Sequence, residues 1–158
     1  MIRFEGCGVV QSFKEVKKYI LVNLSDENDT VLNLKVPYSS KKIISINERL
    51  IFGGIINEDG IVVTDFVSRA YLEPIGFRFS TKKEDVFSYQ KKGDYIKLDV
   101  KAPFFEKTYK TFSLLGKFGS DEVLNRILSC IESKKVSLEG FITKNILVMT
   151  SIDKPYEV

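Results

Sequence analysis

Residues 50–66 read LIFGGIINEDGIVVTDF, and a worn copy of that stretch returns at residues 136–152 as VSLEGFITKNILVMTSI. With Gly54 laid on Gly140, Phe52 meets Leu138 and Ile56 meets Ile142. After a slightly shorter turn, Ile61, Val62 and Val63 meet Ile146, Leu147 and Val148. Each copy reads as a β-hairpin. Asp59-Gly60 supplies the positive φ that a tight reversal needs, and Lys144-Asn145 does so in the second copy, Asn being the next most tolerant residue. Glycine inside a strand marks a bulge or a sharp bend. Gly54 and Gly140 therefore predict the curling wall of a barrel rather than a flat sheet.

An echo of this kind in a chain of 158 residues favours two units of about 75 residues each over one larger domain. Pro74-Ile75-Gly76 is the strongest punctuation between the copies, so the expected units are residues 1–74 and 75–158. Apolar residues at 44% and charged residues at 28% describe a soluble chain with a core. No apolar run reaches the roughly 20 residues that span a bilayer, and MIRFEGCGVV lacks the pattern of a signal peptide. The expectation is cytoplasmic, with no membrane partner.

The sequence contains no histidine, which removes the commonest general base and the commonest metal ligand together. It also has no nucleophile elbow and no phosphate-cradling glycine loop. An enzyme is not expected, nor any cofactor or metal. Cys7 and Cys130 have neither the number nor the spacing of a zinc site or disulfide framework and read as small buried apolar residues. Asp26-Glu27-Asn28-Asp29 lacks the glycine and terminal glutamate of a calcium loop, so it reads as a solvated turn.

Taken in order, residues 8–14 and 19–24 have β character, and Leu32, Leu34 and Val36 alternate with Asn33 and Lys35 as in a half-buried strand. Residues 38–47 allow at most one or two helical turns before the hairpin that begins at Leu50. In the second half, residues 77–79 start a strand and a polar stretch with Lys82, Lys83, Lys91 and Lys92 follows. Ile96, Leu98 and Val100 then alternate with Tyr95, Lys97 and Asp99. Residues 102–107 read as a hairpin connection and residues 109–118 as the returning strand. Ser120 is a good N-cap, with Asp121 and Glu122 in a first turn that favours anions. The helix predicted over residues 120–133 carries Val123, Leu124, Ile127, Leu128 and Ile131 as one stripe, with Cys130 beside it, suited to plugging a barrel end.

Five strands with a helix or link between the third and fourth resemble the oligonucleotide/oligosaccharide-binding (OB) fold, and each half shows that order. The fold class implied is all-β with one α-helix: two small five-stranded OB-like barrels in tandem, the link at residues 39–46 standing in for a helix in the first. A β-sandwich of hairpins is the structural alternative. Ligands of the fold sit on the outer face of strands two and three and the loops at its ends.

Charge separates the halves. Residues 1–74 hold 9 Lys and Arg against 10 Asp and Glu, while residues 75–158 hold 15 against 11. Within residues 78–117 there are 10 cations and 5 anions, interleaved with aromatic residues. Cations hold a phosphate track and ring faces stack bases. The candidate site is therefore Tyr95, Lys97, Lys101, Phe104, Phe105, Lys107, Tyr109 and Lys110, and the partner single-stranded DNA or RNA, bound with little sequence preference. The competing reading is a structural or adaptor subunit whose barrels take a protein partner or a second copy of the chain.

Overall fold

The computed structural model describes residues 2–27, 30–104, 108–132, 135–143 and 146–153. For residues 82–87, 100–104, 108–112, 114, 135, 136, 143, 151 and 153 it describes the backbone alone. The strands are β1 (Ile2–Val16), β2 (Tyr19–Ser25), β3 (Val31–Pro37), β4 (Arg49–Ile56), β5 (Ile61–Arg69), β6 (Gly76–Lys92), β7 (Tyr95–Phe104), β8 (Thr108–Lys117), β9 (Lys135–Thr143) and β10 (Ile146–Asp153). A 3-10 turn, Tyr38–Ile43, links β3 to β4, and α1 (Asp121–Glu132) links β8 to β9.

Strands β1 to β5 pair in the order β2-β3-β5-β4-β1, and β2 returns to β1, so the ring closes. Strands β6 to β10 pair as β6-β7-β8-β10-β9, with β9 returning to β6. In each ring the third and fifth strands run parallel. This is the OB strand order that the sequence resembles, and ring closure sets aside the sandwich. The chain divides into two compact units: Arg3–Arg78 with Ile142–Asn145, called the first unit below, and Phe79–Phe141 with Ile146–Val158 and Met1–Ile2, the second. Among the described residues no helix is long and apolar enough to cross a membrane.

Closure of the first ring depends on one long strand serving two neighbours. The first half of β1 pairs with β4, from Arg3↔Ile55 to Val9↔Arg49. Its second half pairs with β2, from Val9↔Ser25 to Val16↔Tyr19, with a bulge between Val10 and Ser12. A bulge bends and twists a strand locally, which turns β1 from one partner to the other. Strand β6 repeats the device, with its bulge between Val86 and Ser88 where it pairs with β7. The polar stretch that follows residue 79 belongs to the same strand: β6 runs unbroken to Lys92.

The two hairpins match residue by residue. Phe52, Ile56 and Val62 are buried in the first, and Leu138, Ile142 and Leu147 in the second. A bulge falls between Gly53 and Gly54. A Cβ on Gly54 would run into the carbonyl oxygen of Val63, and one on Gly140 into that of Val148, the partner that the sequence alignment pairs with Val63. Both glycines are required by close backbone approach. In the first turn Gly60 has φ +78°, as the Asp-Gly pair predicts. Asn57 also pins it, its Oδ1 accepting from the amides of Asp59 and Ile61, each at 3.0 Å. The second turn, Lys144-Asn145, lies outside the described residues.

The core of the first unit gathers Leu24, Leu34, Leu50, Phe52 and Phe77. The Phe52 and Phe77 rings meet edge to face, centroids 5.8 Å apart, a geometry worth about 0.5–1.5 kcal/mol beyond the area it buries. No residue of the 3-10 turn is buried, in keeping with the short link expected there.

In the second unit Ile96 and Leu98 are fully buried while Tyr95 and Lys97 alternate outward, as their period predicts. Residues 102–104, expected in a connection, instead extend β7 and pair with β8 as far as Phe104↔Thr108. Proline is tolerated at position 103 because the β6 register with β7 ends at Lys101, and no ladder amide is needed beyond it. Helix α1 starts where predicted: the Val123 amide donates to Ser120 Oγ at 3.4 Å. Its buried face is Leu124, Ile127 and Cys130. Val123 is exposed and Leu128 only half-buried, so the inward stripe is rotated from the expected one and Cys130 belongs in it. Both cysteines are buried thiols.

Candidate nucleic-acid interface

Strand β7 runs between β6 and β8, and register sets its outward side chains in rows. Lys92, Tyr95 and Lys117 form one row, Gln90, Lys97 and Leu115 the next, and Ser88, Asp99 and Ser113 the third. Because Ile96 and Leu98 point inward, these rows are the outer surface. Tyr95 is 43% exposed and stands between two exposed lysines. An aromatic face flanked by cations on neighbouring strands is the elementary unit of a stacking platform. At the edge of the hairpin Lys91 Nζ lies 5.3 Å from the Phe118 ring centroid.

Asp99 is the exception on this basic face. Ser113 Oγ donates to it at 2.7 Å and Ser88 Oγ at 2.9 Å, tying three strands together. The Ser113 bond first, then that of Ser88, with Lys97 adding a Coulombic contribution, holds its carboxyl below the usual carboxylate range. Asp99 therefore keeps its charge. The Tyr95 side of the face is therefore positive and the third row negative, each visible over the roughly 8 Å that physiological salt leaves unscreened.

The structure brings Tyr95 and Lys97 together on this surface. For Lys101, Phe104, Tyr109 and Lys110 it fixes backbone position: Lys101 pairs with Thr111, Ala102 with Lys110, Pro103 with Tyr109 and Phe104 with Thr108. Phe105 and Lys107 lie outside the described residues. Lys92, Lys117 and Gln90 were missed by sequence reasoning, because Lys92 was assigned to a polar stretch and register was not available to place Lys117 beside Tyr95.

The first unit shows the same rows in other chemistry: Val16, Tyr19 and Pro37, then Lys14, Leu21 and Lys35, then Ser12, Asn23 and Asn33. Tyr19 stands where Tyr95 does. Asn23 replaces Asp99 and donates to Ser12 Oγ at 2.8 Å. Lys35 Nζ sits 4.5 Å from the Tyr19 ring centroid, so that ring face is covered by the chain's own cation. Among the described residues no cation is placed over Tyr95, which leaves its ring the more available of the two. A constant offset between the β1–β2 and β6–β7 hairpins was the signal for this correspondence. Among the described residues no group of three or more Cys, Asp or Glu is placed to hold a metal ion.

No family model matches the sequence, and no curated protein matches it. Among solved structures, a deletion mutant of the single-stranded DNA binding protein from Thermus aquaticus superposes with a TM-score of 0.64 at 8% identity. The match covers 100% of this chain and 96% of that one. At that identity the likeness is one of fold.

Proposed function

We propose that the chain binds single-stranded nucleic acid with little sequence preference, through the basic aromatic outer face of the second barrel. The observation that carries this reading is the exposed Tyr95 ring set between Lys92 and Lys117, with Lys97 in the next row. Lys101, Phe104, Phe105, Lys107, Tyr109 and Lys110 complete the proposed surface. The fold is shared with a protein whose name states single-stranded DNA binding, which makes DNA the first probe to use. No cofactor and no catalytic step are part of the proposal.

Fluorescence anisotropy of labelled poly-dT, mixed-sequence DNA and RNA oligonucleotides, from low to physiological salt, tests it. Affinity is expected to fall with salt by a slope of about −0.7 per neutralised phosphate. Tyr95→Ala and Phe105→Ala should weaken binding with the slope unchanged, each stacked base being worth about 1–3 kcal/mol. Lys97→Ala and Lys107→Ala should weaken it and flatten the slope. Absence of binding at low salt overturns the reading and leaves the adaptor alternative, which Leu72, 95% exposed, favours. A pull-down from host extract would then identify a protein partner or a second copy of the chain.

A further inference from the structure

We infer that a cleft on the first unit, apart from the β7–β8 face, binds a phosphorylated nucleotide. It is an open depression of about 610 Å³, roomy enough for a ligand of the size that sites of roughly 300–1,000 Å³ take. Its walls are the 3-10 turn after β3 and the end of β5. Ser39, Ser40 and Lys42 come from the turn, Ser68 and Arg69 from β5, and Tyr71 from the segment just beyond.

Three kinds of group converge here. The first is charge: Lys42 and Arg69 both line the cleft, and among the described residues neither is in an ion pair. The neighbouring Lys41, by contrast, is neutralised by Glu15 at 2.8 Å. Arg69 Nη2 reaches the Lys42 carbonyl at 3.4 Å, which sets the guanidinium on the wall and leaves further N–H donors for a ligand. Three serine hydroxyls are the second kind. A rigid fork, an ammonium and hydroxyls around one concavity match the oxygens of a phosphate.

The third is an aromatic face. Tyr71 is 78% exposed, and its backbone is anchored where Glu73 Oε2 accepts from the amides of Tyr71 at 2.8 Å and Leu72 at 3.1 Å. Those bonds also turn the Glu73 carboxylate back onto its own backbone. A ring presented to water beside two cations has no role in the core and suits a planar base. An apolar peptide would leave both cations unpaired at a cost, so the cleft favours an anionic ligand with a flat ring.

The test uses the full chain and does not depend on the β7–β8 reading. Amide shifts of the ¹⁵N-labelled protein are followed during titration with dTMP, with inorganic phosphate, and with dT oligomers carrying or lacking a 5′-phosphate. Residues 39, 40, 68 and 69 should shift with dTMP. Arg69→Gln and Lys42→Gln should each weaken dTMP about tenfold, with Arg69→Lys recovering part of the loss, and Tyr71→Ala should weaken dTMP while leaving inorganic phosphate unchanged. A 5′-phosphorylated oligomer that outcompetes dTMP at these amides identifies a strand end as the ligand's source, and equal affinity identifies a free nucleotide. No shift at millimolar dTMP, or shifts that survive Arg69→Gln, overturns the inference. Tyr95→Ala is the control: it should leave dTMP binding at this cleft intact.

Discussion

Asp99 carries a negative charge on a face proposed for a polyanion, and its two serine bonds decide when that charge is lost. Since its folded carboxyl lies below the usual range, the bonds contribute stability above the unfolded pKa of about 3.9, and that contribution disappears as pH falls through the folded value. In a carboxyl NMR titration the Asp99 midpoint should lie below that of a free aspartate, and Ser113→Ala should raise it more than Ser88→Ala. Asp99→Asn should tighten oligonucleotide binding by removing the repulsion at the third row. Thr81 raises a different residue-scale question: it is 3% exposed and, among the described residues, its hydroxyl has no hydrogen-bond partner. Thr81→Val, which keeps the shape and removes the orphan, should stabilise the protein by about 1 kcal/mol in urea unfolding; a loss of stability would mean the hydroxyl has a partner in solution. At this scale much was legible. Alternation put Ile96 and Leu98 inside and Tyr95 and Lys97 outside, and Gly54 announced the bulge found beside it. What could not be read was the row across strands that sets Lys92 and Lys117 beside Tyr95, because register depends on bulge positions that no single strand's pattern reveals.

Helix α1 and strand β6 show where element-level reading fails and why. Five apolar residues fitted a helical stripe, but successive residues turn by about 100°. A helix packed against a curved wall buries the narrower set of Leu124, Ile127 and Cys130. Ile127→Ala should accordingly cost about 2–5 kcal/mol through lost transfer energy and a cavity. The half-buried Leu128→Ala should cost nearer 1, and equal losses in chemical denaturation would contradict the observed face. The helix start was readable because a cap is a local device. Strand β6 was not, because the polar sequence of its second half lacks a clean apolar alternation, and its extended course rests on pairing with neighbouring strands. The end of β7 was hidden in the same way, since Ala102-Pro103 suggests a turn until the end of the β6 register explains why a missing amide does no harm there.

At the scale of the molecule, two closed rings of five strands share strand order, the bulges at Val10/Ser12 and Val86/Ser88, and a glycine pressed on the equivalent carbonyl. The boundary between independently folding pieces, proposed near Ile75, can be set by Phe77. That ring is 2% exposed and packs on Phe52, so a fragment of residues 1–78 should unfold more cooperatively than one of residues 1–74. Equal behaviour would remove Phe77 from the first unit's core. The parallel seam bears on local opening. Among the described residues, strands β3 and β5 meet through three residue pairs, Asn33↔Ile61 to Lys35↔Val63, against seven for β1 with β4, and β8 with β10 likewise has three. A seam held by fewer ladder pairs opens at a smaller local cost, so each barrel behaves as a bracelet whose clasp loosens first. Native-state hydrogen exchange should find the amides of residues 61–63 trading their protons ahead of those of residues 50–55, a brief and repeated unfastening at one known point on the circumference.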